Sequence, residues 1–249
     1  MTFAIDFGTS NTVVTRWNAA TQQPAVVAIP ERAQQLGNNP PLVPSLVYVK
    51  DAAAGTVKVG QQVRDRGLDI SSDQRFFRNF KRGIGTPIQG FLPELDGHEI
   101  SFEQIGQWFL TDVITTLQRQ EALDAVIFTV PVDSFEVYRH WLGQTCEALN
   151  LSQVRMLDEP TAAALGYGIQ QEETVLVVDF GGGTLDFSLV ELAIAPQRKP
   201  LGFILRWGNK SLAESTAQQP QRAKVLAKAG ENLGGAEIDN WLADYYAIE

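Results

Sequence analysis

Short apolar runs and amphipathic stretches alternate along the whole chain. From Phe3 to Phe7 an apolar side chain falls at every second position, and the pattern breaks at Gly8. That period predicts a half-buried strand ending in a turn. Thr12 to Trp17 follows as a β-branched run, so the pair predicts a hairpin tipped by Gly8, Thr9, Ser10 and Asn11. Pro24 to Ile29 reads as a third strand, Arg32 to Pro44 as a polar, Pro-rich loop, and Ser45 to Val49 as strand again. Ser101-Phe102-Glu103-Gln104 has the spacing of a capping box. The helix it opens carries Ile105, Trp108, Phe109, Val113 and Leu117 on one stripe. Ala125 to Val130 predicts a buried strand closed by Pro131, and Phe135, Tyr138, Leu142, Cys146 and Leu149 mark a second amphipathic helix.

Val154 to Leu157 is strand-like and ends at Asp158-Glu159-Pro160, with Pro160 read as the first helical position. Thr161 to Leu165 then predicts a short, Ala-rich helix. Thr174 to Phe180 reads as a buried strand, Gly181-Gly182-Gly183 as its turn, and Thr184 to Leu192 as its hairpin partner. Ala193 to Arg222 is polar and irregular apart from one strand-like stretch, Phe203 to Trp207. Gly234-Gly235 precedes a last helical pattern of Ile238, Trp241, Leu242 and Tyr245. Strands and helices mixed in this way imply an α/β architecture.

Composition narrows the function classes. With 249 residues, 44% of them hydrophobic, the chain has material for one large domain or two lobes, which excludes a disordered tail, a collagen-like repeat and a disulfide scaffold. Lys and Arg number 20 against 29 Asp and Glu, a net charge of -9, which argues against bulk nucleic-acid binding. Positive charge is nevertheless concentrated at Arg64, Arg66, Arg75, Arg78, Lys81 and Arg82. The single cysteine, Cys146, falls on an apolar helical stripe, the pattern of an inert thiol in a reducing compartment. His98 and His140 are too few for a His-rich metal cage and read as structural, His140 among core positions of its helix. No apolar run approaches the roughly 20 residues of a membrane helix, and Met1 to Asp6 has no basic leader segment, so a cytoplasmic location without membrane contact is expected.

Two segments share one order of residues. Ile5-Asp6-Phe7-Gly8-Thr9 and Val178-Asp179-Phe180-Gly181-Gly182-Gly183-Thr184 both run strand, aspartate, Gly turn, hydroxyl residue. Each taken singly is an ordinary strand end and turn. Taken as a pair they have a chemical sense. Glycine lets backbone N–H groups approach an oxyanion without obstruction by a Cβ. A hydroxyl adds a donor, and an aspartate just before it can hold a hydrated Mg²⁺. Two such tips facing each other would clasp a polyphosphate. Glu159, at a helix start, reads first as a cap.

These residues resemble the nucleotide-binding domain of the seventy-kilodalton heat-shock chaperones, within the actin and sugar-kinase superfamily. Ile5 to Asn11 resembles the first phosphate loop of that family. Val43-Pro44-Ser45 is similar to its Thr-Pro-Ser strand start, with Val43 in place of threonine. Asn79 to Gly85 resembles its Ala-Lys-Arg-Leu-Ile-Gly segment, and Thr129-Val130-Pro131 its Val-Pro turn. Asp158 to Gly168 is similar to its first connecting motif, Asp179 to Asp186 to its second phosphate loop, and Leu233 to Asp239 to its Leu-Gly-Gly-Glu-Asp-Phe-Asp. The resemblance implies an actin-like (ribonuclease-H-like) α/β ATPase fold of mixed sheets flanked by helices. It implies a first lobe over 1–168, with an inserted subdomain at about 30–101, and a partial second lobe over 169–249.

The resemblance also implies roles. Asp6 and Asp179 would hold Mg²⁺ through water, and Asp186 would help to bind K⁺. Gly8, Thr9, Ser10, Asn11, Gly181, Gly182, Gly183 and Thr184 would hold the phosphates of ATP or ADP, with Gly234 and Gly235 supporting the nucleotide. Lys81 would orient the attacking water, with Glu159 in the outer shell of the metal. Pro131 and Arg139 match residues that couple nucleotide state to a partner domain. Protein clients or co-chaperones are the implied partners of the full-length protein. Ser10 and Asn11 differ from the commonest loop residues of the family but keep hydrogen-bonding groups. The sequence to Glu249 does not contain the adenosine-binding loop of the family, so weak ATP binding by this chain alone is expected. A cell-shape or filament ATPase of the actin type, a sugar kinase and a non-catalytic nucleotide sensor are the competing readings.

Overall fold

A computed structural model of the protein describes residues 1–86, 92–131, 135–167, 172–194, 205–207, 221–231 and 233–247. Strand β1 (Thr2–Phe7) keeps the period of two: Phe3, Ile5 and Phe7 are buried, while Ala4 and Asp6 face the other way. It turns into the antiparallel β2 (Asn11–Asn18), with Phe7 opposite Thr12. Strand β3 (Gln23–Val26) lies beyond β2 and is shorter than expected. The chain leaves the ladder there, and Ile29 turns into the core. The strand expected at 45–49 begins two residues late, and a short strand forms at the end of the expected loop. Strand β4 (Val43–Pro44) pairs with β2, and β5 (Val47–Asp51) pairs with β6 (Thr56–Val59) in a separate small sheet. Pro44 has no N–H to continue a ladder, so the break falls there.

Helix α1 (Gln61–Asp65) and strand β7 (Phe76–Phe77), which completes the small sheet, lead to a 3-10 turn over Phe80–Gly83. A two-strand ribbon of β8 (Glu94–Leu95) and β9 (His98–Glu99) precedes α2 (Phe102–Gln118). The Ser101 hydroxyl accepts the Gln104 N–H at 3.1 Å, as the capping pattern predicts. Glu103 instead accepts the Gly85 N–H at 2.8 Å and so ties the helix start to the end of the 3-10 turn. Strand β10 (Ala125–Val130) runs parallel to β1, α3 (Phe135–Ala148) returns, and β11 (Val154–Asp158) runs parallel to β10. Helix α4 (Glu159–Tyr167) begins one residue earlier than expected. Asp158 caps it, accepting the Thr161 N–H at 2.8 Å, which leaves Glu159 free of that duty.

Strands β12 (Glu173–Phe180) and β13 (Leu185–Ile194) form the second hairpin. Strand β14 (Leu205–Trp207) pairs with β11, giving the large sheet the order β14-β11-β10-β1-β2-β3. Strand β15 (Gln221–Glu231) adds to β13, and α5 (Gly235–Ala247) follows. The main core lies between the large sheet and α2 and α3. Phe7, Phe80 and Phe109 pack there with ring centroids 5.5 to 6.1 Å apart. The β12–β13–β15 sheet is different. One face packs Val190, Leu192 and Ala223 against Ala164 of α4. The other carries Leu176, Val178 and Phe180, all more than half exposed, so β12 is not the buried strand its composition suggests. The apolar stripe of α5 is also open, with Trp241 59% exposed.

Candidate functional site

The first hairpin tip is fixed from beneath. A Cβ on Gly8 would lie 2.3 Å from the Asn11 carbonyl oxygen, so only glycine fits the turn. The buried Ser45 donates its hydroxyl to the Gly8 carbonyl at 2.7 Å and its N–H to the Ser10 carbonyl at 2.9 Å, with Thr12 Oγ1 at 3.1 Å from Ser45 Oγ. Ser45 occupies this place because the division between β4 and β5 leaves it outside both ladders.

The second tip rests on the start of α5. Gly181 N–H donates to the Thr184 carbonyl at 2.9 Å, which closes the turn. The Gly181 and Gly182 carbonyls accept the N–H groups of Gly235 and Ala236, each at 3.0 Å. Backbone approaches backbone so closely that a Cβ on Gly234 would lie 2.4 Å from Gly183 N. The two tips meet. A Cβ on Gly182 would fall 1.8 Å from Ser10 Oγ, and one on Gly183 would fall 3.0 Å from Thr9 Cγ2. The repeat that the sequence displays is therefore a spatial pair.

Between the hairpins lies a cavity of about 460 Å³ lined by Thr9, Lys81, Arg82, Glu159, Asp179, Thr184, Asp186 and Pro131, among others. Of the expected site residues, Gly8, Ser10, Asn11, Gly181, Gly182 and Gly183 form the tips at its edge. Gly234 and Gly235 stand behind the second tip as its support. Asp6 lies at the end of β1, where its Oδ1 accepts the Thr129 hydroxyl at 2.6 Å.

Charge explains the arrangement. Lys81 donates to Glu159 Oε1 at 2.7 Å, with both side chains largely covered, and its Nζ sits 5.8 Å from the centroid of the Phe7 ring. Burial pushes the Glu159 carboxyl above its ordinary range; Lys81 pulls it back down, while Asp6 and Asp179 push it up. Asp179 is likewise raised, first by burial and then by Asp186 and Asp6. Several carboxylates thus crowd one cleft with Lys81 as their partner. Asp6, Asp179 and Asp186 offer the hard oxygen donors that suit Mg²⁺, and a divalent cation would relieve their mutual repulsion. Among the described residues no three His, Cys, Asp or Glu side chains converge as a direct metal cage. Mg²⁺ that keeps most of its waters needs only one or two protein carboxylates.

The remaining candidates separate cleanly. Arg82 crosses from the 3-10 turn to pair with Glu237 on α5, passing over the second tip, where a Cβ on Gly183 would lie 2.8 Å from Arg82 Cδ. Glu237 also accepts the Gly234 N–H at 2.8 Å. Arg75 is engaged by Asp96 and Arg64 by Gln34, so of the basic stretch only Lys81 and Arg82 line the cleft. His98 and His140 are both exposed, which corrects the reading of His140 as a core neighbour. Cys146 is buried, with its thiol pushed up to about 12 by burial. Arg139, on α3, is half-buried. Sequence reasoning missed β15, whose Lys228, Ala229 and Gly230 line the cavity, because small alanines at 223, 227 and 229 give little hydrophobic contrast. It also missed Ser45 and Thr129 as supports; their signal lies only in strand register.

Residues 89–194 match the family model described as Hsp70 protein. Over that segment the chain is similar to the Hsp70 family. The matched Hsp70 segment includes α2 through β13, and with them Glu159, the second glycine tip and Thr129. The mixed sheets flanked by helices are those of an actin-like ATPase fold, and the match supports a chaperone-type, nucleotide-binding domain. The first tip and Lys81 lie outside the matched Hsp70 segment and are joined to it by contact: Ser10 with Gly182, and Lys81 with Glu159. No described helix is long and apolar enough to cross a membrane.

Proposed function

We propose that the chain binds ATP and ADP between the two glycine tips and that the site transfers the γ-phosphoryl group of ATP to water. The carrying observation is the meeting of the tips, Ser10 against Gly182, with the Lys81–Glu159 pair in the cavity between the hairpins. Thr9, Ser10, Asn11 and the Gly181–Thr184 turn hold the β- and γ-phosphates, with Gly234 and Gly235 backing the second turn. Lys81 neutralises charge at the γ-phosphate and orients water, and Glu159 holds the Lys81 ammonium in place. Asp6 and Asp179 hold hydrated Mg²⁺, and Asp186 assists a K⁺ ion. Bound Mg²⁺ supplies charge neutralisation across the phosphate oxygens. Such chemistry depends on positioning and electrostatics more than on covalent catalysis.

In the same proposal, residues 1–168 form one lobe, with an inserted subdomain at about 30–101, and 169–249 begin a second. Pro131 and Arg139 carry the nucleotide state towards a client- or co-chaperone-binding partner domain of a cytoplasmic chaperone. Titration calorimetry with ADP and Mg²⁺ tests the site. The wild-type chain takes up nucleotide, and Gly8→Ala, whose new Cβ meets a backbone oxygen at 2.3 Å, does not. Equal binding by the two, or none by the wild type, refutes the assignment. In a phosphate-release assay on the full-length protein, Lys81→Ala lowers turnover by roughly 100-fold; the parental rate would refute its role.

A further inference from the structure

Asp6 differs from the other acidic groups of the cleft in how it is held. It is exposed, and its Oδ1 accepts the Thr129 hydroxyl at 2.6 Å across 123 residues of sequence. The sheet register makes this contact. Ile5 stands beside Phe128, so Asp6 and Thr129 follow as neighbours on adjacent parallel strands. Phe128 and Val130 point into the core, and Thr129, between them, takes the opposite face, as Asp6 does between Ile5 and Phe7. A hydrogen bond to a carboxylate at this distance is of the strong, charge-assisted kind. The terminal torsion of an aspartate is otherwise broad, so an unanchored carboxylate samples many orientations. Among the described residues Asp179 has no comparable hydroxyl partner, and Asp6 Oδ2 has no protein partner.

On the reading that the cleft takes a magnesium nucleotide, we propose that Thr129 is a positioning residue. Its hydroxyl holds Asp6 by one oxygen and so presets the other for the hydration shell of Mg²⁺. Thr129 touches neither nucleotide nor metal; it removes a rotation that metal uptake would otherwise have to freeze. Groups that orient a metal-holding side chain ordinarily matter about 10- to 100-fold in metal affinity, and an aspartate that acts through water belongs at the low end of that range.

The test uses the whole chain with a fluorescent ADP analogue, titrated with MgCl₂ and, separately, bound in EDTA. Thr129→Val keeps the β-branched shape and loses the hydroxyl; Thr129→Ser keeps the hydroxyl. The expected result is a midpoint in Mg²⁺ raised roughly tenfold for Thr129→Val, restored by Thr129→Ser, with unchanged binding in EDTA and an unchanged melting temperature. A wild-type midpoint in Thr129→Val overturns the inference while leaving the nucleotide reading intact. An equal loss with and without Mg²⁺ also overturns it, because that is the mark of general damage. A wild-type chain that takes up no nucleotide sinks the nucleotide reading and this inference together.

Discussion

Removing Lys81 isolates a carboxylate in the cleft. Glu159 would lose its 2.7 Å partner and face Asp6 and Asp179 without compensation. Truncating one member of a fully buried pair costs about 3–5 kcal/mol, whereas an exposed pair contributes about 0–1. The Lys81 side chain is 10% exposed and that of Glu159 24%, so solvent screens part of the penalty. A loss of about 2 kcal/mol follows for Lys81→Ala near neutral pH. With a urea slope of about 2 kcal/mol per molar, the midpoint falls by about 1 M. The pH dependence has a definite sign. Glu159 is already raised by burial, and Lys81→Ala removes a group that lowers it. A carboxyl raised in the folded state binds its proton more tightly there than in the unfolded chain. The folded state is therefore least penalised below the unfolded value, near about 4.3, and loses stability as pH rises through the higher folded value. The deficit of Lys81→Ala against wild type should then be largest near pH 8 and shrink towards pH 5. Urea titrations followed by the fluorescence of the buried Trp141 measure it. In the double variant with Glu159→Gln, most of the lost midpoint returns. The reasoning fails if the deficit is the same at both pH values, or if Glu159→Gln recovers nothing.

Two further outcomes follow from packing. Gly234→Ala places a Cβ 2.4 Å from Gly183 N and 2.5 Å from Gly182 C, both backbone atoms that no rotamer can clear. It should destabilise the second hairpin by about 1–3 kcal/mol and speed amide exchange at Gly181 and Ala236 while sparing β1; unchanged exchange at those amides would count against the contact. Cys146, buried and with its thiol pushed up to about 12, should resist a thiol reagent near pH 8 until the chain unfolds. Prompt labelling of the native protein would contradict that burial.

Much of the fold was legible because its strands end at residues with strong local meaning. Gly8 and the Gly181–Gly183 run mark both tips, and the paired order of aspartate, glycine and hydroxyl carried over from sequence to space. Ser101 announced the start of α2. Less legible were features decided by register. Nothing local marks Thr129 as the partner of Asp6, because the contact exists only where β10 lies parallel to β1. Asp158 and Glu159 are chemically alike and adjacent, and only the start of α4 assigns one to the helix cap and the other to Lys81. The alanines of β15 hide a strand from any scale of apolar contrast. Leu176, Val178 and Phe180 mislead in the opposite direction, since their apolar character predicts burial that the described residues do not provide.

The two hairpins are anchored to foundations of unequal strength. The first tip grows from a strand whose alternate side chains enter a large aromatic and aliphatic core, whereas the second stands on a sheet whose buried cluster is essentially Ala164, Val190, Leu192 and Ala223. Opening free energies within one native protein differ according to such local burial. The cleft thus joins a stiff jaw to a compliant one. A ligand that spans it works as a mechanical strut, and most of the ordering it brings falls on β12, β13 and the first turn of α5, with little left to add on the β1 side.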